Sequence, residues 1–165
     1  MRILLVSLHF VEYEIELARA LSKKNKIHVV LSKKKVDQTV KDDIKKILGE
    51  DVPYTLLENC SLLSPKILKN FLIILLLWWR FRPEIIHHQE SRDPSNLIIL
   101  FLSLFIPTVG TVHDVNTHPG SQKDRYYLII PIRDFIRKHF YTKIIVHGNI
   151  LKEDLIKNIN RDTED

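Results

Sequence analysis

Six short apolar runs of strand length recur along the chain, at Ile3–Ser7, Ile27–Ser32, Pro53–Leu57, Glu84–Gln89, Thr108–His113 and Lys143–His147, with helical patterns between them. This alternation constrains the fold more than any other feature. Parallel neighbours need long crossover connections, usually helices, whereas antiparallel neighbours need only tight turns. The runs are β-branched or leucine-rich with little polar alternation, as expected of strands covered on both faces. The pattern predicts an α/β fold: a doubly wound parallel sheet of about six strands, ordered 3-2-1-4-5-6, inside a three-layer α/β/α sandwich.

The connecting segments Tyr13–Ser22, Val36–Leu48, Pro65–Phe81, Asp93–Phe105, Gln122–Tyr141 and Asn149–Ile159 read as helices. Asp93-Pro94 supplies an N-cap with proline in the first turn, and Pro131 is expected to kink or split the fifth helix. With 165 residues, 45% hydrophobic and 27% charged, the chain suits one ordered domain over 1–165. Its single Cys60 cannot form an intramolecular disulfide. Met1-Arg-Ile-Leu-Leu-Val runs straight into a strand pattern rather than a leader, so a cytoplasmic location is expected.

A formal charge of +5 is spread over short runs such as Lys33-Lys34-Lys35. These read as solvated helix ends and loops, with an anionic membrane or phosphate as the alternative partner. No aromatic residues interleave the lysines and no nucleic-acid motif accompanies them, so nucleic acid is not an expected partner. Phe71–Trp79 and Leu97–Ile106 are apolar almost throughout but too short to cross a bilayer, since ten helical residues rise only ~15 Å. Burial against the sheet is the expectation. Peripheral contact with the inner face of the cell membrane is the alternative, because Lys66, Lys69, Arg80 and Arg82 flank the paired Trp78 and Trp79.

Chemistry points to the segment Pro107-Thr-Val-Gly-Thr-Val-His113-Asp114-Val-Asn116-Thr-His118-Pro119-Gly120, where an apolar strand ends in polar and titratable groups. Ligands of open parallel sheets bind beyond the carboxyl ends of the strands. His113 is therefore the first candidate for a catalytic residue, with a structural histidine as the alternative. Asp114 can orient that imidazole, bind a hydroxyl, or cap the following loop. Candidates for substrate binding are His9, Gln89, Glu90, Arg92, Asn116, His118 and His147. His118-Pro119-Gly120 reads first as a turn and second as a loop that closes over the substrate. His87 and His88 are adjacent in a strand and point to opposite faces, so they cannot share a metal ion, and no metal is expected. There is no Gly-x-Ser-x-Gly elbow, Walker loop or Gly-x-Gly-x-x-Gly fingerprint.

Four stretches together resemble the N-terminal domain of family 4 glycosyltransferases of the two-domain GT-B fold. These are Met1-Arg-Ile-Leu-Leu-Val-Ser with Glu16-Leu-Ala-Arg-Ala-Leu21, then Arg82-Pro-Glu-Ile-Ile-His87-His88-Gln89, Thr111-Val-His113-Asp114, and Lys143-Ile-Ile-Val-His147-Gly148. The resemblance spans nearly the whole chain and implies a Rossmann-like domain forming the N-terminal half of that fold. It also implies transfer of a sugar, with retention, from a nucleotide-sugar donor to a sugar or lipid-linked acceptor held by this domain. His113 falls on the family's active-site histidine. The donor-binding domain is expected in the same or a separate chain, and without it this chain is expected to be inactive. The nucleotide sugar enters as substrate, so no cofactor is expected. Leu8-His9-Phe10-Val11-Glu12 replaces the family's glycine-rich turn, which weakens diphosphate contact there and leaves His9 as either a hydrogen-bond donor or a plain loop residue. Two other readings remain open: the membrane or acceptor subunit of a bipartite glycosyltransferase, and a non-catalytic carbohydrate- or partner-binding module.

Overall fold

A computed structural model describes residues 1–40, 43–61, 64–91, 93–113, 115 and 134–159. Its strands are β1 (Arg2–Ser7), β2 (Lys26–Ser32), β3 (Tyr54–Leu57), β4 (Ile85–Gln89), β5 (Thr108–Val112) and β6 (Lys143–Val146). They pair in parallel throughout, in the order β3-β2-β1-β4-β5-β6. The sheet is thus the predicted one, an α/β Rossmann-like fold with the order reversing between β1 and β4.

The period-two alternation of strands divides the apolar residues between two faces. Ile3, Leu5, Val29 and Leu31 pack on one face under α1 (Val11–Ser22), α2 (Lys33–Thr39) and α3 (Ile44–Leu48). Leu4, Val6, Val30 and Ile86 pack on the other under α4 (Pro65–Phe81) and α5 (Asn96–Ser103). A further helical stretch covers residues 134–139 (α6), and α7 (Asn149–Ile159) joins Val112 and Val115 through Leu155 and Ile159.

Local chemistry fixes the helix ends. Ser64 accepts from the Lys66 N–H at 3.3 Å with Pro65 in the first turn, so α4 spans its predicted residues. It stops at Arg82, whose φ of 49° is left-handed. Two helices differ from expectation. Val36–Leu48 is not one helix but two, because Val40 turns extended and Asp43 starts anew by accepting from the Lys45 N–H at 3.0 Å. Asp93 does accept from the Ser95 N–H at 2.9 Å, but that tight turn precedes the helix proper, which begins at Asn96. Pro131 lies outside the described residues.

Gly110, in the middle of β5, is required by a close approach. A Cβ there would meet the Tyr141 ring at 2.5 Å. The expected burial of the two apolar helices is only half met. Asn70 and Ile74 of α4 and Ile98, Ile99 and Leu102 of α5 are buried, but Leu68, Leu72, Leu76 and Trp79 stand exposed on α4. Leu97, Phe101, Leu104 and Phe105 are exposed on and just after α5. Each helix offers one side to the sheet, and being apolar all round it necessarily turns the rest outward. Among the described residues no helix is long and apolar enough to cross a membrane.

Candidate active site at the strand ends

The reversal between β1 and β4 opens a crevice beyond the carboxyl ends of the strands, where ligands of doubly wound sheets bind. One part of it, about 260 Å³, is lined by His9 after β1, Lys35 in α2, Asn59 and Cys60 after β3, and Ser91 and Asp93 after β4. Beside it, the ends of β4 and β5 carry the more elaborate chemistry.

There, strand register gathers polar side chains on the α1 face. Leu5 pairs with His87, Ser7 with Gln89, and Gln89 with Thr111, so His87, Gln89 and Thr111 share one side. Helix α1 buries Val11, Glu14, Ile15 and Ala18 against them, a helical stripe in which Glu14 alone is charged. The Glu14 carboxylate is fully buried; one oxygen lies 3.2 Å from His87 Nδ1 and the other accepts from the Gln89 side-chain amide. Its place in the first turn of α1 sets that charge against the positive end of the helix. His87 Nε2 meets the Thr111 hydroxyl at 2.9 Å, and Gln89 Oε1 meets His113 Nε2 at 3.1 Å.

His113 follows β5 directly and is half-buried. Its ring lies 3.7 Å from that of Phe10 at 31°, 5.0 Å from that of His147, and edge-on to Tyr13 at 6.1 Å. His9 touches the same group through Phe10, at 4.8 Å. The structure therefore brings together four of the sequence candidates, His9, Gln89, His113 and His147. Asp114, Arg92, Asn116 and His118 lie outside the described residues.

Glu90 turns to a different partner. Arg137, fully buried on α6, places Nε 3.1 Å and Nη2 2.5 Å from its two carboxylate oxygens, a bidentate pair. Arg137 also donates to the Val115 carbonyl at 3.3 Å and to Asp134 at 3.4 Å.

His88 points away from its neighbour, as strand geometry requires. It bonds the Tyr141 hydroxyl at 2.8 Å and Asn96 at 3.0 Å on the opposite face. Burial lowers its pKa to about 4, partly opposed by the Asn96 hydrogen bond, so the imidazole is neutral. Burial also pushes the Tyr141 hydroxyl upward, with the Glu90 charge acting the same way. Among the described residues no three His, Cys, Asp or Glu side chains converge as a metal site.

Sequence reasoning missed Glu14, Phe10, Tyr13, Thr111 and Arg137. The available signal was Glu14 itself, a carboxylate in register with Val11, Ile15 and Ala18 on the face that α1 had to bury.

No family model and no curated protein sequence matches the chain. Solved structures do. A glycosyltransferase from Rickettsia africae aligns over 98% of this chain and 40% of its own, with 22% identity and a TM-score of 0.61. A candidate UDP-N-acetylglucosamine 2-epimerase from Listeria monocytogenes aligns over 98% of this chain and 43% of its own, with 12% identity and a TM-score of 0.62. Anabaena HepE, solved in complex with UDP and glucose, aligns over 96% of this chain and 41% of its own, with 14% identity and a TM-score of 0.60. At these identities the likeness shows the fold, a Rossmann-like domain of the GT-B kind. The chain spans about two fifths of the length of each.

Proposed function

We propose that this chain is the acceptor-side, N-terminal domain of a hexosyl-type glycosyltransferase, which completes its cleft with a donor-binding domain supplied in the same or a separate polypeptide. The observation that carries the reading is His113, anchored by Gln89 at a strand exit and ringed by Phe10, Tyr13 and His147. A glycosyltransferase and a UDP- and glucose-bound protein among the structural neighbours support it, as does their extra length beyond the aligned part.

In this reading the nucleotide sugar is bound mainly by the other domain, as a substrate, and no metal or further cofactor takes part. The acceptor, a sugar or a lipid-linked sugar, lies in the crevice against His9 and His147, whereas Gln89, fully buried, supports His113 from beneath and does not touch it. His113 hydrogen-bonds a substrate hydroxyl at the reacting end, while Asp114, Asn116, His118 and Arg92 stay candidates on sequence grounds alone. Transfer requires donor and acceptor to be held in reacting geometry, so one half of the cleft cannot achieve turnover. Within this scheme the exposed apolar strip on α4 and α5 favours an acceptor presented at a membrane, with the chain peripheral on the cytoplasmic face.

The test joins the chain to its donor domain and measures sugar transfer and melting temperature for wild type and His113→Ala. Turnover is expected to fall on the order of 100-fold, as when one hydrogen-bonding group is removed from a reacting centre, with little change in melting temperature. The 165 residues alone are expected to transfer nothing. Near-normal turnover with a lowered melting point would make His113 structural. Transfer by the isolated chain would overturn the half-enzyme reading, and tight sugar binding without transfer in the joined protein would favour a carbohydrate-binding module.

A further inference from the structure

The pocket of about 260 Å³ beyond the ends of β1 to β4 is set apart by the hydrogen-bonding capacity its walls leave unused. Asp93 and Asn59 stand on two different loops and fix each other. The Ser32 hydroxyl donates to Asn59 Oδ1 at 2.8 Å, so the Asn59 amide nitrogen faces Asp93 Oδ2, 3.3 Å away. The other Asp93 oxygen accepts from the Ser95 N–H at 2.9 Å, with the Cys60 thiol at 4.0 Å. A carboxylate offers about four acceptor positions on its two oxygens, so one on Oδ2 is left for a ligand. Donors stand around it. The Asn59 amide keeps its second hydrogen. The Ser91 oxygen accepts from Asn96 Nδ2 at 2.7 Å and from the Asp93 N–H at 3.4 Å, and its own hydrogen has no acceptor among the described residues. The half-buried Lys35 ammonium likewise meets no carboxylate among them.

We infer that this pocket is a subsite for one uncharged sugar unit, so that the acceptor is a saccharide of at least two units, one at His113 and its neighbour in the pocket. A sugar hydroxyl both donates and accepts. Adjacent hydroxyls can therefore donate to Asp93 Oδ2 while accepting from Lys35, Ser91 and Asn59. An unprotonated phosphate only accepts and would set its oxygens against that of Asp93, and a cation would be set against Lys35. Leu8 and Pro94 line the same pocket and suit the C–H faces of a sugar ring. The volume falls below the roughly 300–1,000 Å³ of sites for drug-sized ligands, which leaves room for a single ring. His9 joins the pocket to the reacting end: it lines the pocket, and its ring lies 4.8 Å from that of Phe10, which packs on His113. The preference for a sugar follows from the pocket's own residues, and only its assignment to the acceptor rests on the function proposed above.

Cys60, the single cysteine, lines the pocket and reports its occupancy. In the experiment the 165-residue chain is alkylated with iodoacetamide in the presence of methyl glycosides of glucose, galactose, mannose and N-acetylglucosamine. Inorganic phosphate and the open-chain polyol sorbitol serve as comparisons. At least one glycoside is expected to slow the reaction saturably, while phosphate and sorbitol leave its rate unchanged. Lys35→Met and Asp93→Asn each remove one arm of the recognition. Each is expected to raise the half-protecting concentration on the order of 10-fold, the worth of a hydrogen bond to a charged group, with melting temperatures showing that the variants fold. Protection by none of the glycosides, by phosphate in their place, or equally by sorbitol would overturn the inference. So would protection that either folded variant retains in full. If glycosides protect Cys60 as stated while the joined enzyme transfers no sugar, the subsite stands and the proposed function falls. If the joined enzyme transfers sugar while no glycoside protects, the subsite falls and the proposed function stands.

Discussion

At the strand ends under α1, ionisable side chains are buried; across the sheet, on the outer side of α4 and α5, large apolar side chains stand in solvent. The first region holds Glu14, His87, Gln89 and, nearby, Arg137, all buried, each hydrogen-bonded or ion-paired. The second holds Leu72, Leu76, Trp79, Phe101 and Phe105, each about half exposed or more. Both depart from the usual distribution, in opposite senses, and among the described residues only the first finds its partners. Among the described residues Asn70 Oδ1 is the single buried side-chain polar atom without a hydrogen-bond partner. Burying polar groups is costly unless they are paired, and here the pairing is internal. Exposing apolar surface costs roughly 25 cal/mol for each Å² left in water, and none of the described residues covers it. The polar cluster is therefore finished by the described residues, while the apolar face is left open by them.

The largest expected effect breaks the polar side of this contrast. Glu90→Ala removes the bidentate partner of Arg137, whose fully buried guanidinium keeps, among its other contacts, those to Asp134 and Val115. Loss of one member of a buried ion pair costs about 3–5 kcal/mol, so urea denaturation of the isolated chain should show a fall of that order. A change below about 1 kcal/mol would mean that Glu90 is held for ligand binding rather than for the fold.

A smaller effect comes from His88. Its folded pKa, about 4, lies below the ordinary 6.5, so the folded state resists a proton that the unfolded chain accepts. Stability is therefore fully present above pH 6.5 and is lost as pH falls from there toward 4, on the order of 1 kcal/mol per pH unit. His28, half-buried beside Thr55 and likewise lowered by burial to about 4, acts in the same direction. Urea midpoints measured over this window should decline steadily toward acid. A flat profile would show that water reaches the His88 site and would blur the contrast between the two regions.

How much of this was legible depends on what each residue reports. The alternation of apolar runs gave the sheet and its order, because a parallel strand cannot be connected to its neighbour without an intervening crossover. Ser64 and Pro65 marked the start of α4 through local capping chemistry. The break between α2 and α3 was hidden because Val36, Val40, Ile44, Ile47 and Leu48 keep helical phase straight across it. His113 could be found as the titratable residue at a strand exit. Glu14 could not be found by residue type, since a helical glutamate ordinarily faces water, and its role arises from pairing three strands away in sequence. The exposed strip was illegible for a related reason: a segment apolar on every side does not say which side the sheet will take.

The smallest effect on stability, and the one that most sharpens the comparison, concerns that strip. Leu72→Glu together with Trp79→Glu places two charges on side chains already in solvent, so folding stability should shift by no more than about 0.5 kcal/mol per site. Association should change far more. Lys66 and Lys69 at the start of α4 are engaged by Glu58 at 3.1 and 2.8 Å, so attraction to an anionic surface falls mainly to exposed Arg80 and Arg82, the latter 5.9 Å from the Trp79 ring. The wild-type chain should sediment with vesicles containing anionic lipid at low salt, less so as ions screen the arginines over a Debye length of roughly 10 Å at 0.1 M. The double variant should remain in solution at every salt concentration while melting as the wild type does. If wild type fails to sediment with such vesicles at low salt, the membrane reading is lost. If the chain instead self-associates with rising concentration and the double variant does not, the strip belongs to a second copy.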